Sequence, residues 1–297
     1  MKIGCIDYLN CYPFYYHMLK EAPLAGIRVT RAYPEGLNRL MKEGRLALSP
    51  VSAAAYADLQ TDAVLLPDFC LSSIGYVGSV ILASHVPIEE LHGRRVGISK
   101  ASRTSQVLVK ILLEGHYGVR PRYIQVPPRP CLQETDAALI IGNDAMVPLS
   151  EPIPYIYDIG DLWMRKTGHP VVFAVFAVNR TALRDHPGAI RSVIDSYRTS
   201  LDCLQTRRET VIRHARAAYP DIEYDIESYY RLLQFHFSDA LKAALAYYFR
   251  AAAAQGLLAP VPALRFLNDD MAVIKYATTD PGENVYGYRK PDELAEG

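Results

Sequence analysis

The 297-residue sequence predicts an α/β protein of two lobes with a ligand cleft between them. Three observations carry that expectation. Short apolar, β-branched runs alternate with helical patterns, which is the signature of βαβ units around a mostly parallel sheet. Two long apolar runs, 75–84 and 171–179, bracket an α/β stretch of about the size of a small lobe. At this chain length a single core stops growing, so two lobes pack better than one.

In chain order, the strands expected from these runs are 2–7, 27–33, 46–51, 63–67, 75–84, 94–99, 122–127, 137–142, 153–158 and 171–179. Helical spacing appears at 35–43 and at 104–115, where Val107, Leu108, Ile111 and Leu112 share a face. After 180 the pattern turns helical: Ile190, Val193, Ile194, Tyr197, Leu201 and Leu204 keep the spacing, 227–235 and 238–255 follow, and Gly256 closes the last helix. If both long runs cross between lobes, residues 1–84 with 171–267 form lobe one and 85–170 form lobe two, leaving 268–297 as a tail. This is the plan of a type II periplasmic-binding-protein fold, with small molecules expected in the interlobe cleft.

Charge and motifs narrow the function classes. Thirty-two Lys and Arg balance thirty-two Asp and Glu, which removes the electrostatic reason to expect nucleic acid or an anionic membrane as partner. The longest apolar run, Val171 to Val178, is far shorter than the roughly 20 residues that span a bilayer. The start, Met1-Lys-Ile-Gly-Cys-Ile-Asp7, lacks the apolar segment of a signal peptide, and Cys5, Cys11, Cys70, Cys131 and Cys203 form no C-x-x-C pair; a cytoplasmic protein with reduced thiols is expected. Tyr8-Leu-Asn-Cys-Tyr-Pro13 follows the first strand without a glycine, against a dinucleotide site. There is no P-loop, H-E-x-x-H or G-x-S-x-G, and the histidines are dispersed, so neither a metal nor a cofactor is expected.

What remains is a set of polar groups at strand-to-helix junctions. Asn10 follows the first strand, Ser52 the third, Ser102, Thr104 and Ser105 come after Gly97-Ile-Ser-Lys-Ala, and Asn143 and Asp144 after Ile140-Ile-Gly. Each suits an N-cap, which contributes about 1 kcal/mol. Several together at the ends of parallel strands converge on one crevice, and helix N-termini with hydroxyls there receive carboxylates. Ser72 and Ser73 add two hydroxyls at the expected hinge.

These residues carry a resemblance. Ile3-Gly-x-x-x-Tyr8-Leu-Asn10-x-x-Pro13, Leu37-Asn-x-Leu, Val51-Ser-x-Ala-x-Tyr56, Leu66-Pro-Asp-x-Cys-x-Ser-Ser73, Gly78-Ser-Val, Val86-Pro-Ile-Glu-Glu-Leu, Ile141-Gly and Tyr157-Asp-x-Gly-x-x-Trp163 form an ordered series that resembles the chorismate dehydratases, which open the futalosine route to menaquinone. The likeness runs from residue 2 to about 180 and more loosely to 267. It departs at Asn143, where that family often has an acid, and at Arg103, where a small residue is usual.

The resemblance implies loss of water from the dicarboxylate chorismate to give 3-[(1-carboxyvinyl)oxy]benzoate. Together with the junction groups it gives an expected substrate-binding set of Tyr8, Asn10, Ser52, Ser72, Ser73, Ser102, Thr104, Ser105, Asn143 and Asp144, without a cofactor. The substrate's enolpyruvyl carboxylate would act as base and Asn10 would orient it. Two rivals stay open. A related enzyme of the same route forms 1,4-dihydroxy-6-naphthoate, but a Ser-Pro-Cys-Pro-Asn-Asp-like first loop is expected there. The other is a cytoplasmic carboxylate-binding protein without catalysis.

Overall fold

The computed structural model describes residues 1–149, 152–261 and 263–267; the expected tail 268–297 lies outside the described residues. Two mixed sheets organise the chain. In order, the first half runs through β1 (Lys2–Ile6), α1 (Tyr12–Tyr16), β2 (Arg28–Ala32), α2 (Pro34–Lys42), β3 (Leu48–Ser52), α3 (Tyr56–Leu59), β4 (Ala63–Ser73), β5 (Val80–Ser84), β6 (Arg95–Ser99), α4 (Arg103–Lys110), β7 (Arg122–Val126) and β8 (Ala137–Ile141). It continues through β9 (Tyr155–Asp158), α5 (Ile159–Thr167), β10 (Val171–Asn179), α6 (Arg180–Asp185), α7 (Pro187–Thr206), α8 (Arg208–Ala218), α9 (Ile226–Leu232), β11 (Leu233–His236) and α10 (Asp239–Ala254).

The first sheet has the order β11-β4-β10-β3-β1-β2 and the second β7-β6-β8-β5-β9. Neither is mostly parallel. β10 runs antiparallel to β3 and β4, and β5 antiparallel to β8 and β9. Both strands enter their sheet from the other lobe, so they need none of the helical return that sets a parallel neighbour.

The crossovers also differ from expectation. Residues 75–84 do not form one strand of lobe one. Gly75 and Gly78 both have positive φ, +79° and +73°, and break the run. β5 then begins at Val80 and belongs to the second sheet. The chain therefore leaves the first sheet at Ser73 and returns to it at Val171, and we place the lobe boundary at the crossover 74–79 rather than at Ser84. Helix 227–235 is the other correction: it stops at Leu232, and Leu233–His236 pair antiparallel with β4 as an edge strand.

Strand β10 explains the long apolar run. Every residue from Val171 to Val178 is buried because the strand is covered on both faces. Val175 and Ala177 enter the main core, whereas Phe176 and Val178 face a second cluster with Phe14, Phe69 and Tyr197. Phe14 of α1 lies 4.5 Å from Phe176 ring to ring, so the first helix after β1 is fixed directly to the central strand. No helix among the described residues is long and apolar enough to cross a membrane.

Candidate functional site

A narrow cavity lies between the lobes, at the kind of interface where small-molecule sites usually form. Its polar wall is Tyr8, Asn10, Ser52, Ser79, Ser102 and Ser105, and its apolar wall includes Ile6, Leu71, Val77, Phe173 and Leu233. Tyr8 and Asn10 follow β1, Ser52 is the last residue of β3, and Ser102 follows β6, at the carboxyl ends where open α/β sheets form their crevices.

Asn10 stands in a short 3₁₀ turn, Leu9–Cys11, that leads into α1, with Pro13 in the first helical turn. Its Oδ1 and the Tyr8 hydroxyl are buried and without a hydrogen-bond partner among the described residues. Burial, with the Asp144 carboxylate next, pushes the Tyr8 phenol well above its ordinary pKa, so it remains a donor. The Ser52 hydroxyl accepts from Asn38 Nδ2 at 2.9 Å while the Ser52 amide donates to Asn38 Oδ1 at 3.0 Å. Ser79 accepts from the Tyr229 hydroxyl at 2.8 Å. Ser102 is the N-cap of α4 and accepts from the Ser105 amide at 3.5 Å and the Ser105 hydroxyl at 3.3 Å.

The consequence is a donor-rich wall. A hydroxyl has one proton and two lone pairs. Ser52, Ser79 and Ser102 each accept a bond from the scaffold, which leaves their own protons for a ligand, and the Tyr8 hydroxyl adds a fourth. Among the described lining residues none is a carboxylate, histidine, lysine or arginine.

Five of the ten expected residues line this cavity: Tyr8, Asn10, Ser52, Ser102 and Ser105. The other five do not. Ser72 donates to the Gln234 carbonyl of β11 at 3.4 Å and Ser73 to the Gly75 carbonyl of the crossover at 3.0 Å, so both hydroxyls serve backbone groups outside the cavity. Thr104 donates to the Phe173 carbonyl and accepts from the Ala54 amide, joining the lobes rather than meeting a ligand. Asn143 accepts from the Leu9 amide at 2.8 Å, and Asp144 pairs with Arg129 at 3.4 Å. Burial raises the Asp144 carboxyl, and Arg129 opposes that shift. Arg103 bonds Asp58 instead of pointing free into solvent.

Sequence reasoning missed Ser79, Tyr229 and Asn38. Asn38 carried a usable signal, since it shares the buried face of α2 with Leu37 and Met41, where a polar side chain requires a buried partner. Tyr229 carried none, because an aromatic on a helix reads as core.

The two mixed sheets and the cavity between them form a two-lobed periplasmic-binding-protein-like fold, type II. Solved structures agree: an Archaeoglobus fulgidus protein superposes with a TM-score of 0.68 at 18% identity, covering 86% of this chain and 98% of that one. The periplasmic aliphatic sulphonate binding protein SsuA from Escherichia coli gives 0.62 at 13% identity, over 91% and 96%. Residues 1–254 match the family described as menaquinone biosynthesis, and the chain belongs to that family. Two Thermus thermophilus relatives are similar to it. A chorismate dehydratase is 33% identical over 195 residues, 60% of this chain and 69% of the relative, and a 1,4-dihydroxy-6-naphtoate synthase is 27% identical over 233 residues, 77% and 84%.

Proposed function

We propose that the protein is a carbon–oxygen lyase that converts chorismate to 3-[(1-carboxyvinyl)oxy]benzoate and water. The observation that carries this reading is the cavity wall: four hydroxyl protons offered to a ligand, one unpaired acceptor on Asn10, and no ionised side chain. Two carboxylates are acceptor-only groups and match the surplus of donors. A dehydration that aromatises a ring needs a base for the hydrogen on the ether-bearing carbon and a proton for the departing hydroxyl. With no such group on the wall, the substrate's enolpyruvyl carboxylate takes the first proton and returns it to the hydroxyl as the carbon–oxygen bond breaks. Asn10 accepts from that hydroxyl and holds the ring in register with the carboxylate. Its role is orientation within a dry cavity, not proton transfer.

Incubating purified protein with chorismate and following mass spectra tests this; the product is lighter than the substrate by one water. A second reading, a naphthoate-forming enzyme of the same family, is favoured by the longer match to that relative. Unchanged chorismate in that assay would leave the second reading, or a binding protein, in its place.

A further inference from the structure

Asn143 belongs to the second lobe, just after β8, yet its side chain acts on the turn that carries Asn10 in the first lobe. The Leu9–Cys11 turn has Tyr8 at its N-cap position, and the Tyr8 side chain makes no capping bond. Leu9 is fully buried, so its amide needs a partner. Asn143 Oδ1 supplies that partner at 2.8 Å, across the cleft. On the other side of the same residue, the Tyr230 hydroxyl donates to the Leu9 carbonyl at 3.0 Å. Leu9 is thus held by its amide from the second lobe and by its carbonyl from α9 of the first.

Gly142 makes the approach feasible. Its φ is +63°, and a Cβ there would lie 2.5 Å from the Tyr8 ring, so only glycine lets the backbone of the second lobe seat against that ring. Gly142 itself donates to the Ser79 carbonyl at 2.7 Å. Residues 142 and 143 therefore act as a clip from one lobe onto Tyr8, Leu9 and, through Leu9, the adjoining Asn10.

We propose that Asn143 is a positioning residue: when the second lobe closes, its side chain caps the Leu9 turn and sets the Asn10 amide, so the site reaches its working geometry only in the closed form. This rests on the role given to Asn10 above. With the lobes apart the Leu9 amide faces water and the turn is free to tilt. On closure the bond forms, and it is repaid in orientation of the reacting groups rather than in contact with the ligand.

The test uses Asn143→Ala, which removes the acceptor, and Asn143→Asp, which keeps one. Two readouts are taken: amide hydrogen exchange at Leu9 with saturating 3-[(1-carboxyvinyl)oxy]benzoate, and kcat and KM with chorismate. In Asn143→Ala, exchange at Leu9 should rise about tenfold, the scale of one hydrogen bond, while β1 amides keep their protection. The same variant should lose about 10- to 100-fold in kcat with KM moved by less than about threefold. Asn143→Asp should restore both to within about threefold. Unchanged Leu9 exchange in Asn143→Ala, or an Asp variant as impaired as the Ala variant, overturns the proposal. If the wild-type protein leaves chorismate untouched, the dehydratase reading falls on its own, and Leu9 exchange across the three proteins still decides the capping role. Should Asn143→Ala not fold, Asn143→Ser, whose hydroxyl is too short to span the cleft, takes its place with the same expected losses.

Discussion

The Thr104 hydroxyl, at the head of α4, donates to the Phe173 carbonyl in β10 at 3.0 Å and so joins the second lobe to the central strand of the first. It also accepts from the Ala54 amide at 3.1 Å, and the Thr104 carbonyl receives the Tyr248 hydroxyl at 3.4 Å. Replacing Thr104 with Val keeps the shape and strands two buried backbone groups. Stability should fall by about 2 kcal/mol, read as a lower denaturant midpoint with an unchanged slope. A midpoint equal to that of the wild type would remove Thr104 from the tie between lobes.

On the proposed mechanism, Asn10→Ala should lower the turnover of chorismate by about 10²–10³ while substrate affinity changes far less, because an interaction that serves the transition state is lost. Asn10→Asp should bind worse than Asn10→Ala, since it sets a negative charge beside the substrate carboxylates. Single-turnover rates with binding measured separately check both. Normal turnover by Asn10→Ala with a native melting temperature would make the residue a turn former only.

Tyr8→Phe removes a buried hydroxyl that has no partner among the described residues, so the unliganded protein should be as stable as the wild type or slightly more so. Affinity for the substrate should drop by about tenfold, the worth of one hydrogen bond to a charged group. The pH profile gives an independent check. Burial keeps the phenol protonated above its ordinary pKa of about 10, so kcat should be level from about pH 7 to 10. The acid limb should lie near 4, where a substrate carboxylate titrates. A limb near 6.5 would assign the base to a histidine and end the substrate-base mechanism.

Asp158 fastens the first crossover to the start of α5. Its carboxylate accepts from the Gly78 amide at 2.7 Å, the Val77 amide at 3.2 Å and the Asp161 amide at 3.0 Å. Asp158→Ala leaves those donors unpaired in a buried place and should cost about 3 kcal/mol. Because Val77 and Ser79 line the cavity, KM for chorismate should rise as well. Thermal melts with and without the benzoate product separate the two effects; loss of stability with unaltered KM would show that the crossover holds its shape without this clamp.

How far the sequence could be read depended on the range of each signal. The run 171–179 announced a central strand because eight consecutive buried residues have no other economical reading. β4 was expected to end at Pro67, but it continues to Ser73, and the proline sits where the pairing with β10 slips between Leu65 and Cys70. Residues 233–235 fall within the expected helix 227–235 because the four-residue strand Leu233–His236 is too short to separate a period of 2 from one of 3.6. In the site, the junction rule brought Asn10, Ser52 and Ser102 to one cavity, since the ends of β1, β3 and β6 are set by topology. It could not tell Ser102, whose hydroxyl caps α4 and faces the cavity, from Thr104, two residues on, which turns into the protein interface between lobes. That choice is made by which side of one helical turn faces the cleft, and neighbours from distant segments decide it.

The pairing of β10 between β3 and β4 has a consequence for biosynthesis. Residues 171–179 are needed to complete the first sheet, whereas the second sheet is complete once residue 158 has been made. On the ribosome the inserted lobe can fold first, while β1 to β4 wait for their missing neighbour. Pulse-labelled exchange on arrested chains ending near residue 200 or near 170 would show which amides are protected at each length. Early chaperone binding is thus expected at the unfinished first sheet, with Val51 and Cys70 uncovered until Val175 arrives between them.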